Sequence, residues 1–148
     1  MKLIKSIMKY IALFAFGGTT YFTGEVLWRG HSHWTMYVLG GLCFVAVGLI
    51  NNIFPWSMKL ELQALIGAVL ITALELITGL IVNIHLGWNI WDYSNVPFNF
   101  LGQICLPYCI LWYILSVIII VLDDDIRYQY FEERKPTYES IFKDIRRL

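Results

Sequence analysis

Four apolar stretches, each about the length of a bilayer crossing, restrict what this chain can fold into. A hydrocarbon core of about 30 Å takes roughly 20 apolar residues per helix. Residues 8–28, 34–54, 62–84 and 102–122 each supply that length. Between them lie the polar breaks Arg29-Gly30-His31-Ser32-His33 and Pro55-Trp56-Ser57-Met58-Lys59, then the longer segment from His85 to Phe100. The first stretch is the least apolar, because Gly17, Gly18, Thr19, Thr20, Gly24 and Glu25 dilute it. Lys9 interrupts its basic start and no small-x-small cleavage site follows, so it is expected to be a retained span. The expected fold is an all-α membrane protein: a four-transmembrane-helix bundle in residues 1–135 and a tail in residues 136–148.

Composition agrees with lipid as the solvent. Hydrophobic residues make up 58% of the 148 and charged residues 15%, with a mean hydropathy of +0.62. A soluble chain this short has too little interior to hide so much apolar surface. The formal net charge is zero, and no basic patch interleaved with aromatics lies outside the spans, so nucleic acid is not an expected partner.

Lysine and arginine set the expected orientation, since they accumulate on the cytoplasmic side. Lys2, Lys5 and Lys9 precede the first span, Lys59 lies between the second and third, and Arg127, Arg134, Lys135, Lys143, Arg146 and Arg147 follow the fourth. Ten of the eleven basic residues therefore share one face and only Arg29 is left for the other. Both termini are expected in the cytoplasm. In the tail, Thr137 can cap a helix with Tyr138, Ile141, Phe142, Ile145 and Leu148 on one side and Lys143, Arg146 and Arg147 on the other. That is the pattern of an amphipathic helix lying on the membrane or docking on a partner.

Costly residues inside the spans point to a site. A carboxylate at mid-bilayer costs about 2.5–3.5 kcal/mol on insertion scales, so Glu25 and Glu75 should face the bundle interior or water. Ala68, Thr72, Glu75, Gly79 and Asn83 recur at steps of three or four on the third span, as Gly18, Tyr21 and Glu25 do on the first. The second offers Tyr37, Gly41, Gly48 and Asn51 or Asn52, and the fourth Cys105, Cys109, Trp112 and Ser116. Small and polar faces of this kind also serve plain helix packing. Glu25 has Arg29 one turn later as an ion-pair partner, whereas Glu75 has no basic residue on its own helix. Its open roles are proton carrier, cation site or counter-ion to a cationic substrate.

The segment from His85 to Phe100 carries no lysine or arginine. Trp88, Trp91, Tyr93, Phe98 and Phe100 suit an interfacial aromatic belt, while Asp92, Ser94, Asn95 and Asn99 are too polar to face lipid. An outer re-entrant or interfacial segment between the third and fourth spans is expected, with Asp92 available to pair with Arg29. Asp123-Asp124-Asp125 reads as an interfacial charge run paired with Lys59 or the arginines that follow the fourth span. The three cysteines read as packing residues. His31 and His33 form a His-x-His pair that can ligate a metal with help from a carboxylate, but a lone pair in a loop is weak evidence, and no metal or cofactor is expected. No phosphate-binding loop, nucleophile elbow or zinc helix is present, so the chain is not expected to be an enzyme.

Leu74-Glu75-Leu76-Ile77-Thr78-Gly79, Trp91-Asp92-Tyr93-Ser94, Pro97-Phe98-Asn99 and Gly102-Gln103-Ile104-Cys105-Leu106, with Arg29 to Met36 and Gly40-Gly41 before them, resemble the Putative ABC-transporter type IV family of bacterial membrane proteins. The resemblance implies a permease-type protein of the bacterial plasma membrane, working as a homo-oligomer or with a separate ATPase or other partner subunit among membrane lipids. The expected polar or substrate site comprises Glu25, Arg29, Glu75, Asn83, Asp92, Asn99 and Gln103. The alternatives are a non-transporting module that scaffolds or regulates a partner, and last a membrane-embedded enzyme acting on lipid.

Overall fold

The computed structural model of the protein describes residues 2–138. The amphipathic helix expected in the tail lies, from residue 139 onward, outside the described residues.

Helix α1 (Lys2–Arg29) is 28 residues long. It stops at Gly30, whose φ of +79° is open to glycine without strain and whose amide closes on Val26 O at 2.8 Å. Helix α2 (Trp34–Gly48) starts where the His33 ring accepts from the Thr35 amide, and one further turn, α3 (Ile50–Ile53), carries it to Phe54. Pro55 prevents continuation. Helix α4 (Leu60–Gly79) runs on into a π-helical turn, Leu80–His85. A loop follows, holding a two-stranded antiparallel hairpin, β1 (Asn99–Phe100) and β2 (Ile104–Cys105), with Asn99 opposite Cys105. Helix α5 (Leu106–Phe131) begins with Pro107 in its first turn, where a missing amide hydrogen does no harm.

The chain is mostly helical, and among the described residues three helical stretches are long and apolar enough to cross a membrane. They are Trp34–Ile53, Leu60–His85 and Leu106–Phe131, with mean hydropathies of 1.8, 2.4 and 2.2. The fourth expected span, α1, has the length, but its glycines, threonines and Glu25 hold it outside that group. The span expected at 102–122 also moves: the hairpin delays its start to Leu106, and it continues past the aspartates to Phe131.

Glycines set how closely α1 and α2 approach. A Cβ at Gly17 would lie 2.2 Å from Phe44 Cβ, and one at Gly40 would lie 2.6 Å from Tyr21 Cβ. Backbone therefore meets side-chain root from both sides, the close approach that small residues permit between membrane helices. The same device recurs where Gly67 faces Ser116 of α5 and where Gly48 faces Asp123. The core between α2, α4 and α5 holds Leu39, Val47, Ala68, Ile71, Trp112 and Ile120, while Leu65, Val69, Ile77, Ile110, Ile114 and Ile118 are exposed on the outer faces of α4 and α5.

The two ends of the bundle differ. Lys9 of α1 and Glu133, beyond α5, form an ion pair at one end. At the other, Arg29 Nη2 donates to Ile90 O at 3.5 Å, tying the end of α1 to the loop.

Candidate polar site around Glu75

Glu75 sits on the inward face of α4 and is 3% exposed. Tyr93 Oη donates to its Oε1 at 2.9 Å and Trp112 Nε1 donates to its Oε2 at 2.9 Å. Among the described residues no cation lies within ion-pair distance of it, so neutral donors alone satisfy the carboxyl. Rings surround these donors. Tyr93 stacks on Tyr108 at 4.6 Å between centroids, Tyr108 lies 5.8 Å from Trp112, and Trp112 lies 6.3 Å from Tyr21 of α1. An acidic group framed by ring faces and reached only by an O–H and an N–H can exchange a proton or accept a cation that replaces a donor.

Asn83 and Gln103 form a second unit, at the point where α4 changes its winding. The π-helical turn lets Leu86 N reach Ile81 O at 2.9 Å, and Asn83 within it points at the loop. Asn83 Nδ2 donates to Gln103 Oε1 at 2.8 Å and to Trp91 O at 3.1 Å, while its Oδ1 accepts from Ile90 N at 2.7 Å. Trp91 Nε1 donates to Gln103 O at 3.0 Å. Gly79 makes room for this, since a Cβ there would lie 2.5 Å from Gln103 Oε1. Asn83 and Gln103 are buried and spend their hydrogen bonds on the loop, whose position they fix.

The remaining expected residues lie apart. Arg29 Nη2 pairs with Glu25 Oε1 at 3.2 Å, one turn apart on α1, and Ser32 Oγ donates to Glu25. The expected contact of Asp92 with Arg29 does not form. Asp92 instead accepts from the amide and hydroxyl of Ser94, which hold its carboxyl below the usual carboxylate range. Asn99 braces the same loop, donating to Ser94 O and Val96 O and accepting from Gly102 N. Both are exposed. The aromatic belt also divides: Trp88, Phe98 and Phe100 are exposed, whereas Trp91 is 6% exposed and packs inward. Of the seven residues, Glu25 joins Arg29, Asn83 joins Gln103, and Glu75 stands with Tyr93 and Trp112. Tyr21 lies within electrostatic reach of both Glu25 and Glu75.

A polar group that the sequence reading placed at the surface is buried at the Lys9 end. Asp123, Asp124 and Arg127 are 0%, 4% and 2% exposed. Arg127 Nε lies 2.6 Å from Asp123 Oδ2 and its Nη1 donates to Asn52 Oδ1 at 2.9 Å. Asn51 Nδ2 donates to Asp124 Oδ2 at 2.5 Å. Arg127, one of the expected arginines beyond residue 122, does supply the partner of Asp123, but Lys59 does not. The available signal was the four-residue spacing from Asp123 to Arg127, which puts the pair on one helix face.

Apolar spanning helices around interior carboxyl groups define a multi-pass helical membrane protein. The chain belongs to the Putative ABC-transporter type IV family, whose model matches residues 19–144. That is a transporter-type family rather than an enzyme family. No curated protein matches the chain. No solved structure matches it either.

Proposed function

We propose that this protein is a permease-type transporter of the bacterial plasma membrane that moves a proton or small cationic solute through a polar intramembrane site built on Glu75, with Glu25 beside its outer mouth. In this reading α1 is the fourth span, both termini are cytoplasmic, and the transport path is completed by further copies or by a separate ATPase subunit. The observation that carries it is a carboxyl group buried among rings in the membrane interior and held by two neutral donors. A purely structural carboxylate gains most from a fixed cation, and Glu75 has none among the described residues. In proteoliposomes carrying an interior pH dye, the protein is expected to dissipate an imposed proton or cation gradient, and Glu75→Gln to abolish that flux. Unchanged flux in Glu75→Gln would sink the proposal.

A second reading, a non-transporting module that organises a partner, is favoured by an apolar lateral groove of about 560 Å³ between α4 and α5, lined by Leu65, Val69, Thr72, Leu76, Cys109 and Tyr113. Pull-down with and without residues 136–148 separates the two. Loss of a stoichiometric partner with flux intact favours the module.

A further inference from the structure

The Lys9 end of the bundle contains a polar cavity of about 120 Å³ lined by Asn51, Trp56, Asp124, Arg127, Glu133 and Arg134. A water takes about 30 Å³ in the liquid, so the space accepts a group of a few heavy atoms. Its charges do not cancel in pairs. Arg127 is shared by Asp123 and, through Nη1 at 3.8 Å, by Glu133, which also holds Lys9. Among the described residues Asp124 then has no cation within ion-pair distance. Its Oδ2 accepts from Asn51 Nδ2 and, at 2.6 Å, from Tyr138 Oη. Among the described residues Arg134 has no carboxylate within ion-pair distance, and its guanidinium lies 5.3 Å above the centre of the Trp56 ring.

Three atoms without a hydrogen-bond partner belong to residues lining the same space, one of which, Arg127 Nε, faces Asp123. The Arg127 side chain is 3% exposed, yet among the described residues its Nη2 has no hydrogen-bond partner, and neither does Asn51 Oδ1. Buried polar atoms left this way are costly, and one is a donor while the other is an acceptor. The residues lining the cavity thus carry a donor and a cation beside an acceptor and an anion. It also lies where the span Trp34–Ile53 ends, the depth of lipid headgroups.

We propose that this cavity binds a zwitterionic phosphate–ammonium group of the phosphoethanolamine type. The ammonium sits against Asp124 and Asn51 Oδ1 with the Trp56 ring beside it, and the phosphate takes Arg127 Nη2 and Arg134. The group can come from a lipid headgroup or from a soluble ester. The test uses the full chain, purified and delipidated in detergent, with thermal unfolding and native mass spectrometry as readouts. Phosphatidylethanolamine is expected to raise Tm in a concentration-dependent way and to remain bound in the gas phase. Phosphatidylglycerol and inorganic phosphate, which lack the ammonium, should bind at least tenfold more weakly. Free phosphoethanolamine matching the lipid assigns a soluble ligand, and binding of the lipid alone assigns the headgroup. Arg134→Gln, at an exposed position where folding is not at stake, should weaken binding at least tenfold. Three results overturn the proposal: no binding of either phosphoethanolamine form, equal binding of phosphatidylglycerol, or unchanged binding by Arg134→Gln.

Discussion

Replacing Glu75 by glutamine or by leucine separates what the side chain contributes to stability from what it contributes to function. Glutamine can keep both bonds. Its carbonyl oxygen accepts from Trp112 Nε1, which can only donate, and its amide donates to Tyr93 Oη, which can also accept. Each bond to a charged acceptor is worth about 1.5–3 kcal/mol and each neutral one about 0.5–1.5, so something is lost, but the insertion cost of a charge, about 2.5–3.5 kcal/mol, is relieved. Glu75→Gln should therefore lie within about 1 kcal/mol of the parent protein. Leucine strands both donors. Trp112 is 5% exposed and its buried N–H costs about 1–3 kcal/mol unpaired, with a smaller amount for the half-buried Tyr93, for a total of about 2–5. Equilibrium denaturation in mixed micelles, followed by circular dichroism, measures the order: parent and Glu75→Gln close together, Glu75→Leu well below. A Glu75→Leu protein as stable as the parent would refute the hydrogen-bond description of this site.

Asn83→Leu should lower stability by about 2–4 kcal/mol, because Ile90 N–H, Trp91 O and Gln103 Oε1 all lose their buried partner. Hydrogen exchange should quicken across residues 86–105 before it does in α5; uniform acceleration would contradict the role given to Asn83. Two glycine-to-alanine changes should differ in sign. At Gly48 the new methyl would lie 2.3 Å from Asp123 Cγ and should cost about 1–3 kcal/mol through overpacking. At Gly24 nothing lies within 4 Å, and helix propensity should return up to about 1 kcal/mol, readable as a rise in Tm.

The spans were legible because apolar length is a local property. Three of the four expected stretches meet it, and α1 does not because its interior holds threonines, Glu25 and the glycines that let Phe44 and Tyr37 come close. That Glu75 and Glu25 should be shielded was legible too, since lipid penalises either on its outer face. The partners of Glu75 were not. Tyr93 reaches it only after the loop has folded through positive φ at Gly87, Asn89, Phe98, Leu101 and Gly102, and two of those five, Phe98 and Leu101, carry no warning of it in the sequence. Asp92 and Asn99 were read as site residues for their polarity, but short side chains beside backbone amides prefer local turns. Asp123 and Asp124 were read as surface charges because a run of three acids at a span's end usually is one. Asn51, Asn52 and Arg127, which make their burial possible, come from other turns of helix.

Tyr93 belongs to the loop and Glu75 to the buried interior of the bundle, and a single hydrogen bond of 2.9 Å joins them. Any ion that takes the place of that hydroxyl must also free Tyr93 from α4. By thermodynamic reciprocity, occupancy of the carboxyl by such an ion and release of Tyr93 are then coupled, while Asn83 and Gln103 still hold the rest of the loop. An antibody or crosslink that pins residues 86–105 would weaken the binding of such an ion by the same factor with which the ion loosens Tyr93.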